Sequence, residues 1–216
     1  MAKRSPPPAA SDAEVQALLT RYQCPVPFHE VRTRFLGNIA TPDMNASPIK
    51  SVESLWGGKL PEFDTIDAAN ELIGALMMGL WNRLSRHQQR SVPFRLTRRT
   101  IPATREGLAT LASMRLQELD GFIEGLFGSK DTLELPERAH QGLNVLAEVR
   151  ALFAATRDLA VDETISAPSK QVETTLQHLR DLTKNAEQEI HAVVLSCTRA
   201  RRQILEEITS IKPTLH

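Results

Sequence analysis

Apolar residues recur along this chain at spacings of three and four, and nowhere alternate with period two over enough residues to argue for a strand. The clearest run is Ile66, Ala69, Ile73, Leu76, Met77, Leu80 and Leu84, which predicts a helix to about Arg86 with Thr65 as its N-cap. Leu108, Leu111, Leu116, Leu119, Phe122, Ile123 and Leu126 predict another over Arg105 to Phe127, capped by Thr104 and stopped at Gly128. Phe28, Val31, Phe35, Leu36 and Ile39 mark a third. A fourth begins at Leu135-Pro136-Glu137, turns Val145, Leu146, Val149, Leu152 and Phe153 inward, and ends around Arg157. Two shorter pieces precede these. Ser11 and Glu14 form a capping box for a helix to Thr20, and Pro48 starts a piece through Trp56 that Gly57 and Gly58 end. The expected body is one helical core built around residues 66–86.

From Lys170 to Lys212 there is neither Gly nor Pro. Val172, Leu176, Leu179, Thr183, Ala186, Ile190, Val193, Cys197, Ala200 and Ile204 step by four and three throughout, the spacing of a coiled-coil seam. A helix of this length would run roughly 65 Å, against a body of roughly 40 Å, so it is expected to overhang and to need cover from another chain. Val172, Leu176, Leu179, Ile190, Val193 and Ile204 are therefore the candidate protein-partner residues, toward a partner or a second copy. The alternative is a break near Lys184-Asn185 that folds both halves onto the body, and Leu182 and Val194 widen the stripe in its favour. The fold class is all-α: a compact multi-helix domain followed by a long C-terminal helix. Residues 1–10 are expected to be a disordered Pro/Ala tail, 11–158 the helical domain, 159–168 a linker and 169–212 the long helix.

Glycine adds one constraint. Gly121 and Gly125 stand four apart inside a predicted helix, where each costs about 1 kcal/mol relative to Ala. Close approach of another helix would offset that cost, and Gly74 and Gly79 are expected to act in the same way.

Charge changes the picture only locally. Lys plus Arg and Asp plus Glu balance at 26 each, so bulk attraction to nucleic acid or anionic lipid is excluded and only a patch could bind a polyanion. One patch exists: RSVPFRLTRRTIPATR carries Arg90, Arg95, Arg98, Arg99 and Arg105, no acid, and Phe94 among them. Arginines flanking an aromatic residue suit phosphate contact and base stacking. A solvated loop that pairs with acidic helix faces and is dispensable for folding explains the run equally. Arg199, Arg201 and Arg202 splay around the last helix and read as solvated.

No catalytic, cofactor-binding or metal-ligating residue is expected. His29-Glu30 would open a zinc-protease motif, but position 33 is Thr33, not His. The six histidines show no ligand spacing, and the glycine-rich phosphate loops and serine elbow are missing. Cys24 and Cys197 read as two reduced thiols, with a single disulfide as the alternative. The longest apolar run, Leu72 to Trp81, is about half the length that spans a bilayer. The N-terminus lacks the apolar core of a secretory signal, so the cytoplasm is the expected compartment.

The order of the short motifs resembles the YecA/YgfB-like family of bacterial proteins. The resemblance rests on Leu36 and Gly37, Trp56 to Gly58, Pro61 to Phe63, Asn82, and Gly121 to Gly125, and covers roughly residues 14–157. It implies a compact, helical, cytoplasmic bacterial domain and brings no catalytic residues. Longer members end in a cysteine-rich zinc-binding tail that this chain lacks. The leading expectation is a non-enzymatic interaction or regulatory protein that uses its C-terminal helix. Alternatives are nucleic-acid association through residues 90–105, and a hydrolase with an unfamiliar site.

Overall fold

The computed structural model describes residues 10–162, 164 and 168–210. Among these, helices are the only regular structure: α1 (Asp12–Arg21), α2 (Phe28–Ala40), α3 (Pro48–Ser54), α4 (Ile66–Gly74), a π-helical stretch (Ala75–Trp81), α5 (Asn82–Ser85), a 3-10 turn (Arg86–Gln88), α6 (Arg105–Phe127), α7 (Glu137–Val161) and α8 (Ser169–Ser210). Local chemistry sets most boundaries. The Ser11–Glu14 capping box forms, the Thr65 side chain accepts from the Ala68 amide, and that of Thr104 accepts from the Gly107 amide at 3.0 Å. Gly57, Gly58 and Gly128 hold φ of 72°, 98° and 59°, a left-handed region open to glycine at little cost. The expected disorder of residues 1–10 falls outside the described residues except for Ala10, and Lys212 lies outside them as well.

The centre of the body is α6, not the helix of residues 66–86. Helix α6 packs against α2, α7 and α8, and α8 closes the bundle by touching α2, α6 and α7. The tightest crossing joins α2 to α6 through glycine. A Cβ on Gly125 would stand 1.9 Å from the Arg34 carbonyl oxygen, and one on Gly37 would stand 2.2 Å from that of Phe122. Gly121 faces the Glu30 carbonyl in the same way, at 2.9 Å. Around this contact Phe35 and Leu36 of α2 and Leu119, Phe122 and Leu126 of α6 are buried without remainder.

Residues 66–85 flank this core. The π-helical stretch widens the backbone turn through i to i+5 bonding, and four leucines spaced by four, Leu72, Leu76, Leu80 and Leu84, end up buried. The expected stripe is thereby corrected: Leu72 is inside and Ile66 is 78% exposed. Gly74 is corrected too, since among the described residues no atom lies within 4 Å of its missing Cβ, while the atoms nearest that of Gly79 belong to Ala10. On α7, Val145 and Leu152 face solvent and Ala139, Leu146, Val149 and Phe153 face the core. The helix also runs on to Val161, into the expected linker.

The long helix is continuous across Asn185, yet it does not leave its seam uncovered. Val172, Leu176, Leu179, Thr183, Ala186, Ile190, Val193 and Cys197 are all buried in the chain's own core. The 4-3 spacing is therefore spent on an intramolecular bundle, and a surface for another chain is ruled out at Val172, Leu176, Leu179, Ile190 and Val193. Helix α7 lets α8 come close because Gly142 lies beneath Val193; a Cβ there would meet Val193 Cγ2 at 2.7 Å. Only the end escapes: every residue from Arg202 to Ser210 is exposed, Ile204 included.

Two glycines in similar sequence settings should respond in opposite directions. Gly125→Ala should destabilise the fold at the upper end of about 1–3 kcal/mol, because the obstacle is the α2 backbone. Gly74→Ala should stabilise it by roughly 0.5–1 kcal/mol, since the site is helical and open. Urea unfolding of the two variants beside the parent chain measures both.

A basic cavity between the arginine-rich segment and the last helix

The segment 89–104 cannot be a helix throughout, with Pro93 and Pro102 in it, and its extended backbone must find partners elsewhere. It finds two carboxylates. The Leu96 amide donates to Glu187 Oε1 of α8 at 3.0 Å, and the Thr97 amide donates to Glu118 Oε1 of α6 at 2.8 Å. Phe94 and Leu96 insert into the core, at 0% and 1% exposure, with Ile101 nearly as deep. The segment is thus packed into the body: the expected pairing with acidic helix faces is present, through Arg95 and Arg98 on Glu187, while the expectation that the loop is solvated is corrected by the burial of Phe94, Leu96 and Ile101.

Both glutamates are buried, which is costly for a carboxylate unless it is paired and hydrogen-bonded. Glu187, whose side chain is 0% exposed, receives Arg95 Nη1 and Arg98 Nη2, each at 2.9 Å, from arginines that are more than half exposed. Glu118 is paired with Arg115, three residues before it on α6 and itself 3% exposed. Arg115 also donates through Nη2 to the Thr97 carbonyl at 2.9 Å and through Nε to Thr183 Oγ1 at 3.1 Å. The Thr183 hydroxyl in turn donates to the Leu179 carbonyl at 2.7 Å. This network ties the segment, α6 and α8 together.

Above it opens a cavity of about 490 Å³. The segment contributes Arg98, Arg99, Thr100 and Ile101; α6 contributes Leu111 and Arg115; α8 contributes Gln177, Arg180, Thr183 and Lys184. Among the described residues five cations line it and no carboxylate does. Lys184 is held at 2.8 Å by Asp181 outside the lining. Arg99 and Arg180 form no ion pair among the described residues.

Of the five arginines singled out in the sequence, the structure brings Arg98 and Arg99 into the cavity and sets Arg95 beside it on Glu187. Arg105 is used elsewhere, donating to the Leu159 and Asp162 carbonyls at the end of α7. Arg90 is not in the lining either. Phe94 is no stacking platform: Arg32 lies over its ring at 5.3 Å and the His87 ring meets it edge-on at 5.2 Å. Arg115, Arg180 and Lys184 were missed. The signal for the last two is that Gln177, Arg180 and Lys184 step by three and four beside the apolar seam.

Other candidate chemistry is sparse. Among the described residues no cluster of His, Cys, Asp and Glu could hold a metal ion, and no helix is long and apolar enough to cross a membrane. Cys24 and Cys197 are free thiols. Burial pushes the Cys197 thiol up to about 12, so it stays protonated and unreactive. The chain matches no protein-family model, no curated protein and no solved structure.

The two glutamates should differ in what their loss costs. Glu118→Ala strands the guanidinium of Arg115 in the core and should cost about 3–5 kcal/mol. Glu187→Ala leaves two arginines already in water and one unsatisfied Leu96 amide, so about 1–3 kcal/mol is expected. Chemical denaturation of both variants gives the comparison.

Proposed function

We propose that this chain is a non-enzymatic protein that binds an anionic, phosphate-bearing ligand in the cavity between the arginine-rich segment and α8. The observation that carries the reading is the lining: Arg98, Arg99, Arg115, Arg180 and Lys184 converge on one concavity without a carboxylate. Guanidinium groups match phosphate oxygens in a planar, two-toothed geometry, and their charge does not depend on pH in the working range. The volume falls in the range of about 300–1,000 Å³ common to small-ligand pockets. A ligand that binds the native state alone raises the melting midpoint by mass action. Thermal unfolding at low ionic strength with inorganic phosphate, pyrophosphate and an oligonucleotide is therefore the test. At least one should raise the midpoint, and the double variant Arg99→Glu, Arg180→Glu should lose the response. A flat profile across all three would remove the reading.

The free end of α8 favours a second reading, self-association of this interaction protein through its last helix. Ile204, Leu205 and Ile208 are 39%, 42% and 57% exposed on one face, after the helix has left the body. Light scattering at high concentration should show a dimer that Ile204→Asp with Ile208→Asp converts to a monomer. A monodisperse parent monomer would eliminate it.

A further inference from the structure

We infer that the ligand of the basic cavity is a compact oligophosphate, two or three phosphates carried together on a small molecule, rather than a nucleic-acid strand; this rests on the anion-binding reading above. Three observations carry it.

The first is the charge that remains after the internal pairs are satisfied. Glu118 neutralises Arg115, and Asp181 neutralises Lys184. Glu187 neutralises only one of Arg95 and Arg98, which both reach it. One positive charge is left there, and Arg99 and Arg180 add one each. About three uncompensated charges around one concavity call for a ligand with several negative charges close together, not for one phosphate diester.

The second is what lies beyond the cavity. Arg99 also lines an adjoining open depression, whose other charged or titratable members are Glu106 and His29, the latter engaged with Gln117 at 2.8 Å. At the α8 rim stands Asp181, which holds Lys184 and accepts from Gln177. A strand leaving the cavity would carry its next phosphates toward Glu106 on one side and Asp181 on the other. A compact anion held between Arg99 and Arg180 need extend to neither.

The third is the absence of an aromatic side chain from the lining, where Ile101 and Leu111 supply the apolar wall. Strand binders gain much of their affinity by stacking bases on aromatic rings, and the one aromatic residue of the segment, Phe94, is fully buried.

Isothermal titration of the full chain with inorganic tripolyphosphate, and separately with a single-stranded oligonucleotide lacking terminal phosphates, tests the inference at low salt. Tripolyphosphate should bind one to one and more tightly than the oligonucleotide. Arg99→Glu and Arg180→Glu should each weaken it by about tenfold or more, as expected when a charge-assisted contact is replaced by repulsion. Arg202→Glu, on the free end of α8, should change it little. Among the described residues neither Arg99 nor Arg180 has an ionic partner to lose, so far-UV circular dichroism of these variants should match the parent. Tighter binding of the oligonucleotide, sensitive to the same two substitutions, would overturn the compact ligand and leave the anion site standing. Binding of neither probe, or binding indifferent to both substitutions, would overturn both.

Discussion

Helices α2 and α6 approach so closely that backbone meets backbone, and the remaining packing is arranged around that contact. Gly37, Gly121 and Gly125 are where a side chain would have to occupy space already filled by a carbonyl of the opposing helix. Each glycine weakens its own helix by about 1 kcal/mol, and the offset is the dense interface of Phe35, Leu36, Phe122 and Leu126 that the approach allows. With α6 fixed against α2, its opposite faces are left for α7 and α8. Gly142 lets the latter two close in turn.

Burying carboxylates in the middle of such a bundle needs a reason, and the segment 89–104 supplies it. An extended stretch lacks the internal bonds of a helix, so its amides must be met from outside. Glu118 and Glu187 meet those of Thr97 and Leu96, and arginines from the same neighbourhood neutralise the charge. The arrangement fixes both walls of the cavity at once. Arg98 is aimed by Glu187, Arg115 is held by Glu118 and Thr183, and Arg180 and Lys184 ride on the helix that carries Glu187. A concavity with this support is ordered in advance, which would limit the entropy lost on binding the proposed anion.

The positive charge of the cavity is also a local imbalance inside a neutral chain. Twenty-six acidic residues against twenty-six basic ones leave no long-range field to gather polyanions. Recognition of the proposed anion would therefore rest on short-range geometry, which suits a small, multiply charged ligand better than a polymer held by its length.

Much of the architecture was legible in the amino-acid sequence because its causes are local. The three-and-four periodicity, the caps at Ser11, Thr65 and Thr104, the stop at Gly128 and the unbroken run of α8 depend on neighbours within a turn or two. The paired glycines announced a close crossing because their cost had to be offset. What tertiary structure alone decided was which partner each face met. The seam of α8 has the spacing of a coiled coil, but spacing does not say whether the cover comes from another chain or from α6 and α7, and here it comes from within down to Cys197. The arginine-rich segment looked solvated because its acids, Glu118 and Glu187, lie more than twenty and ninety residues away from the amides they bind, at Thr97 and Leu96. For the same reason Arg115, Arg180 and Lys184 could not be joined to Arg98 and Arg99. Charges so distant in sequence become one site only when three separate elements are packed together.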